Sequence, residues 1–344
     1  MKEKLFFGTY TKKTSLGIYE AVLDTKRNKV SSPHLAIDLG GPTYLRLTKA
    51  SDLLTISTEG NLGGIASYQI NNDDFIENND ILHEGASPCY IGLDERRQLV
   101  FSANYHKGEI LVYRINSDHT LTQTDAVTVT GHGPRAEQDS AHIHFTDLTP
   151  DNRLVAVDLG SDKVYVYDIL AGGKLKENSV LPTEAGFGPR HLTFSPDGEY
   201  AYLVGELSSL ISTLKYDSTT GTFKVLQTLK TIPDSWTEHN GAAAVKISED
   251  GKFVYVSNRG YDSLAVFAVQ QNYHLQLIQQ ISTQGSFPRD FSLDTSEKFV
   301  VCANQNTDNA TLYSRDQDTG KLTCVQKDIP VPEGVCVCFA GTEK

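Results

Sequence analysis

A segment that returns about every fifty residues constrains this chain more than any other feature of it. Gly188-Pro-Arg-His-Leu-Thr-Phe-Ser-Pro-Asp-Gly198 has relatives at Phe287-Pro-Arg-Asp-Phe, Gly41-Pro-Thr-Tyr-Leu and Ser87-Pro-Cys-Tyr-Ile. Weaker copies start at Ala141 and Gly241. A fixed period of this size means repeated supersecondary units. Each copy runs in one order: an apolar strand, a Pro-Asp or Asp-Gly turn, a second strand, a polar bend, a third strand and a more variable fourth. Ser195-Pro-Asp-Gly198 and Ser248-Glu-Asp-Gly251 are such turns, since Pro presets φ and Gly accepts φ > 0. The strands are runs of four to six β-branched or aromatic residues, such as Tyr200-Ala-Tyr-Leu-Val204. No stretch sustains a helical period.

Four strands per repeat at this period predict an all-β, seven-bladed β-propeller with four-stranded antiparallel blades. Six blades run from residue 41 to about 331. The segment from Leu5 to Ile37 supplies three strands and lacks the innermost. One spare strand, Val335-Cys-Val-Cys-Phe339, ends the chain. The first blade is therefore expected to be closed by the C-terminal strand, which covers edges that would otherwise stay unpaired. No Pro/Ser-rich linker divides the chain, so residues 1–344 are read as one domain.

The net charge of −12 argues against a general surface for nucleic acid or anionic membrane. No apolar run could span a bilayer and no signal-peptide core opens the chain, which predicts a cytoplasmic protein. The five cysteines form no CxxC pair and are expected to be reduced. No P-loop, nucleophile elbow or dinucleotide fingerprint is present, so no cofactor is expected. His142-Ile-His144 has no carboxylate spaced to complete a metal site, so none is expected either.

A propeller gathers equivalent positions of all blades at its axis. Aligned on the residue after the leading Pro, the blades give Thr43, Cys89, His144, Arg190, Ala243, Arg289 and Cys336. Aligned on the end of the second strand, they give Glu59, Asn104, Asp158, Glu206, Asn258 and Asn304, 15–17 residues after the Pro position. An antiparallel return should bring both series to one mouth. Asn and Asp there also suit turn caps, whereas Glu206 is a poor turn-former. His142 and His144 alternate along one strand, so one should face the channel and the other pack. Arg259 follows Asn258 at a bend.

At these residues the chain resembles a known family. Gly8-Thr-Tyr-Thr11, Gly188-Pro-Arg-His191, Gly205-Glu-Leu207, Ser257-Asn-Arg-Gly260, Pro288-Arg-Asp-Phe291 and Ala303-Asn-Gln305 are similar to motifs of the seven-bladed propeller lactonases. That family includes bacterial 6-phosphogluconolactonases and fungal carboxymuconate lactonizing enzymes. The resemblance implies a site of one His, two Arg and one Glu: His142 or His144 (His144 on the alignment), Arg190, Arg259 and Glu206. Ile143 stands where many relatives carry Pro, and Ala136-Glu-Gln138 where the bacterial branch is more basic. The implied activity is hydrolysis of a small anionic sugar lactone, 6-phosphogluconolactone first, in the pentose phosphate pathway. Glu206 or His144 would be the base, and Arg190 and Arg259 would stabilise the oxyanion or grip an anionic group. Arg289 would bind phosphate, with His142, His191, Asn258 and Asn304 as further substrate contacts. Rival readings are another lactonase or lactonizing enzyme, a non-catalytic binding propeller, and a metal-dependent lactonase.

Overall fold

The computed structural model describes residues 1–71 and 74–342. Its sheets are seven, arranged as consecutive antiparallel blades. Their innermost strands are Gly334–Thr342, Leu45–Leu47, Tyr90–Asp94, Ile143–Leu148, Pro189–Phe194, Gly241–Ile247 and Pro288–Leu293, for blades 1 to 7 in turn. Each pairs with the strand that follows it in space. In blade 5, for example, Pro189–Phe194 pairs Tyr200–Gly205, then Leu210–Asp217, then Thr222–Lys230. The only helical turns among the described residues are two short 3₁₀ segments, Ala136–Gln138 and Ala171–Gly173.

Ring closure follows the expected plan. Lys2–Thr9 pairs outward with Gly17–Asp24 and inward with Gly334–Thr342, with Leu5 opposite Phe339 and Phe7 opposite Val337. His34–Asp38 is the outer strand, and a two-residue strand, Lys29–Val30, adds a fifth member to this sheet.

The core lies between the faces of neighbouring blades, because alternation in each strand gives every sheet two apolar faces. Leu5, Phe7, Val301, Leu312 and Val337 fill the seam between blades 7 and 1. Each such fully buried side chain contributes about 1.5–3 kcal/mol of transfer free energy. The repeated turns fit together as well. Gly198 has φ +74°, and a Cβ there would meet Pro150 of the preceding blade's turn at 2.6 Å.

Candidate functional site

Two local devices build the mouth of the channel. The first is a β-bulge in the inner strand. The pairing register slips between Ile143 and Phe145, between Pro189 and His191, and between Pro288 and Asp290. The unpaired residues are His144, Arg190 and Arg289. A bulge turns the extra residue out of the alternation and re-aims its side chain. In the closing strand the slip falls at Val335, because Thr9 pairs Gly334 and Gly8 pairs Cys336. The mouth position of blade 1 is thus Val335, and Cys336 is a core residue.

The second device is the four-residue loop after the second strand. Asn104 faces Glu109, Asp158 faces Lys163, Gly205 faces Leu210, Asn258 faces Ser263 and Asn304 faces Asn309. Glu206 is therefore equivalent to Arg259 and Tyr105, not to Asn258 and Asn104. The expected second ring mixes two positions one residue apart. In blade 2 the mouth residue is Thr58, whose N–H reaches Gly40 as that of Glu206 reaches Gly188, while Glu59 is exposed.

A cavity of about 790 Å³ opens between these devices. His144, Glu206, Arg259 and Arg289 line it. Arg190 does not; it lies just behind them, 2% exposed. Glu206 ties the group together. Its Oε2 is 2.9 Å from a terminal nitrogen of Arg259 and 2.8 Å from Nε of Arg190. The Arg190 contact is an ion pair without an aligned hydrogen bond, since Nε finds no acceptor in line. Arg259 also donates from Nε to the Gly241 carbonyl at 3.2 Å. It is the last residue of Phe253–Arg259 and not a free bend cation. Arg289 is half-buried and faces the Tyr10 ring, 5.5 Å from its centroid.

Electrostatics divide the acids from the bases. Burial opposes ionisation of Glu206, but Arg259, then Arg190 and Arg289, outweigh it and hold the carboxyl below its usual range. His144 is pushed well below the ordinary histidine range, first by burial and then by Arg190, Arg289 and Arg259. Its Nδ1 is buried without a partner. His144 is thus a neutral imidazole amid guanidinium groups. Tyr105, edge-on to the His144 ring at 5.9 Å, has its hydroxyl pushed up to about 12 by burial and Glu206, so it remains a donor. Beneath the mouth, Tyr44, Tyr90, Phe145 and His191 form an aromatic floor with ring centroids 4.1–5.6 Å apart.

Four expected substrate contacts are placed elsewhere. His142 stacks on Tyr105 at 4.1 Å, with Nδ1 2.8 Å from the Tyr105 carbonyl and Nε2 3.1 Å from Asp139. It orients Tyr105 and leaves the channel to His144. His191 belongs to the floor, 3.2 Å from Nη1 of Arg190. Asn258 and Asn304 are fully buried caps: Asn258 donates to the Thr231 carbonyl at 3.1 Å and Asn304 to that of Thr283 at 3.0 Å. Tyr10, Lys12, Thr58, Tyr105 and His106 line the cavity without having been singled out. Counting one residue beyond each second strand would have found Tyr10 and Tyr105. Among the described residues no group of three or more His, Cys, Asp and Glu converges on a metal position. No helix among them is long and apolar enough to cross a membrane.

Comparison with known proteins agrees with the seven-bladed fold. The model of the family described as lactonase, 7-bladed beta-propeller, matches residues 4–339. The chain belongs to that family. A 6-phosphogluconolactonase of Bacillus subtilis is 41% identical, over 97% of each chain. A crystal structure of a protein from Lactobacillus plantarum is 58% identical with a TM-score of 0.98, covering 98% of this chain and 99% of that one. The periplasmic gluconolactonase of Pseudomonas aeruginosa is 29% identical with a TM-score of 0.94 over the full length of both. A lactone-hydrolysing enzyme is the function these relatives support.

Proposed function

We propose that this protein hydrolyses 6-phosphogluconolactone to 6-phosphogluconate, as a cytoplasmic, metal-independent step of the pentose phosphate pathway. The observation that carries the reading is the neutral His144 facing a cavity whose charged lining is Lys12, Arg259, Arg289 and a Glu206 already neutralised by two arginines. Such a cavity suits a small anion in a chain of net charge −12.

The residues divide the chemistry as follows. Neutral His144 accepts a proton from water as the water oxygen attacks the lactone carbonyl. The developing oxyanion faces the Arg259 guanidinium, held by Glu206 and the Gly241 carbonyl. Collapse breaks the bond from the carbonyl carbon to the ring oxygen, and the imidazolium returns its proton to the departing alkoxide. Lactone and water thus become a hydroxy acid, which then ionises. The surrounding guanidinium groups disfavour imidazolium, which speeds the return of the proton. Glu206 is committed to its two cationic partners and acts as the anchor of Arg259 and Arg190. Arg289 takes the phosphate.

The test is the rate on 6-phosphogluconolactone beside glucono-δ-lactone, each corrected for spontaneous hydrolysis. Preference for the phosphorylated lactone is expected. Acceleration of the neutral lactone alone would favour a gluconolactonase, the activity named for the Pseudomonas relative. Acceleration of neither would sink the reading.

A further inference from the structure

The chemistry above uses blades 4 to 7, while most of the cavity lining comes from blades 1 to 3. There the lining is small and polar, with Gly40, Gly41, Thr58, Asn61 and Ser87, and its one permanent charge is Lys12. We infer that Lys12 is a specificity-determining residue: with Arg289 it forms a two-cation phosphate subsite, organised by the Tyr10 ring that both approach. The inference rests on the proposed function and deepens it.

Three observations meet at this place. The Lys12 ammonium lies 4.4 Å from the centroid of the Tyr10 ring, and the Arg289 guanidinium carbon lies 5.5 Å from the same centroid. One aromatic ring therefore gathers cations from blades 1 and 7. Like charges collected beside a cavity repel, and an anion between them relieves the repulsion. Neither cation has a carboxylate within ion-pair distance among the described residues, so both remain available.

The third observation is the way the Lys12 loop is held. Glu333, 4% exposed, accepts the backbone N–H groups of Lys12, Lys13, Thr14 and Ser15 at 2.9–3.2 Å. Its own N–H donates to Asp308 at 2.8 Å. This acid is thereby committed to the backbone of the loop and not to the Lys12 side chain. A phosphate dianion matches the pair: the planar fork of Arg289 can take two oxygens and the compact ammonium of Lys12 a third. Gly40 and Gly41 put no side chain in the way, and Gly41, at φ +58°, holds a backbone turn that L residues rarely adopt.

Calorimetry with 6-phosphogluconate and gluconate, on the wild type, Lys12→Ala and Lys12→Arg, tests the subsite without relying on turnover. Lys12 is exposed, so the variants should fold. Lys12→Ala should weaken 6-phosphogluconate about 10–100-fold, the range for a lost charge-assisted contact, and raise KM for 6-phosphogluconolactone by a similar factor. Gluconate affinity and KM for glucono-δ-lactone should move several-fold less, and Lys12→Arg should recover most of the loss. Equal losses on both ligands, or no loss on the phosphorylated one, would overturn the inference. If the wild type hydrolyses neither lactone, the proposed function falls, and the binding arm still decides Lys12. A wild type that binds the two acids equally well has no phosphate subsite.

Discussion

Asn258 and Arg259 are neighbours in sequence and belong to different layers of the molecule. The first layer, Asn104, Asp158, Asn258 and Asn304, is buried, and each of its members hydrogen-bonds to backbone. The second, one residue on, holds Tyr105, Glu206 and Arg259 at the cavity. Strand alternation separates them, since successive side chains point to opposite sides. Both layers are polar and clustered, yet one holds the propeller together and the other meets the ligand. Polarity at a repeated position is thus no guide to function until the register is known.

This division can be broken most severely at His144. His144→Ala should lower kcat about 10²–10⁴-fold with little change in melting temperature. Glu206→Gln should instead lose less, with the loss carried by a displaced Arg259. If Glu206→Gln is the more damaging variant, the base is Glu206. Arg259→Ala should cost about 10²–10³-fold in kcat on phosphorylated and neutral lactone alike; an effect confined to KM would move it from the oxyanion to substrate anchoring.

The cap layer should answer in the opposite currency. Asp158 accepts N–H groups of His142, Gly160 and Ser161 at 2.7–3.2 Å and the Ser161 hydroxyl as well. Asp158→Ala orphans these donors and should destabilise by about 3 kcal/mol, with kcat per folded molecule retained. Denaturant unfolding together with active-site titration reads both quantities.

Acid should reveal the neutral histidines. The rings of His144 and His191 are both held well below the ordinary range, chiefly by burial. Between that depressed range and about pH 6.5 the unfolded chain binds protons that the folded chain refuses, so stability falls as pH falls. The slope should approach about 1.4 kcal/mol per pH unit for each ring. His144→Gln should remove one ring's share. A melting temperature flat from pH 7 to 5 would contradict the burial of both. The smallest effect is expected from EDTA: none on turnover, because His142 and Glu206 are committed to protein partners.

The blade plan and the closing strand were legible because turn chemistry and strand period recur at fixed spacing, and because a strand was missing at one end and spare at the other. Of the expected mouth residues, Glu206, Arg259 and Arg289 line the cavity and Arg190 lies behind them. What escaped was register. A bulge inserts one residue without a sequence signal of its own, and it lies at His144, Arg190 and Arg289. The offset between Gly205 and Asn258 follows from strand pairing alone, so Asn258 and Asn304 were read as ligand contacts. Lys12 lies in the blade 1 copy of the loop after the second strand, which is longer there than in the other blades, so no repeat position aligns with it.

The Glu333 clamp also sets an order of events during synthesis. The segment from Tyr10 to Lys12 leaves the ribosome before the rest of the cavity lining, yet the carboxylate that fixes this loop arrives more than three hundred residues later. Nascent chains can stack blades 2 to 7 as they emerge, but the mouth is completed only when Glu333 and the strand after it have left the exit tunnel. A chain that ends between residues 289 and 333 carries His144, Glu206, Arg259 and Arg289 and still lacks a finished site.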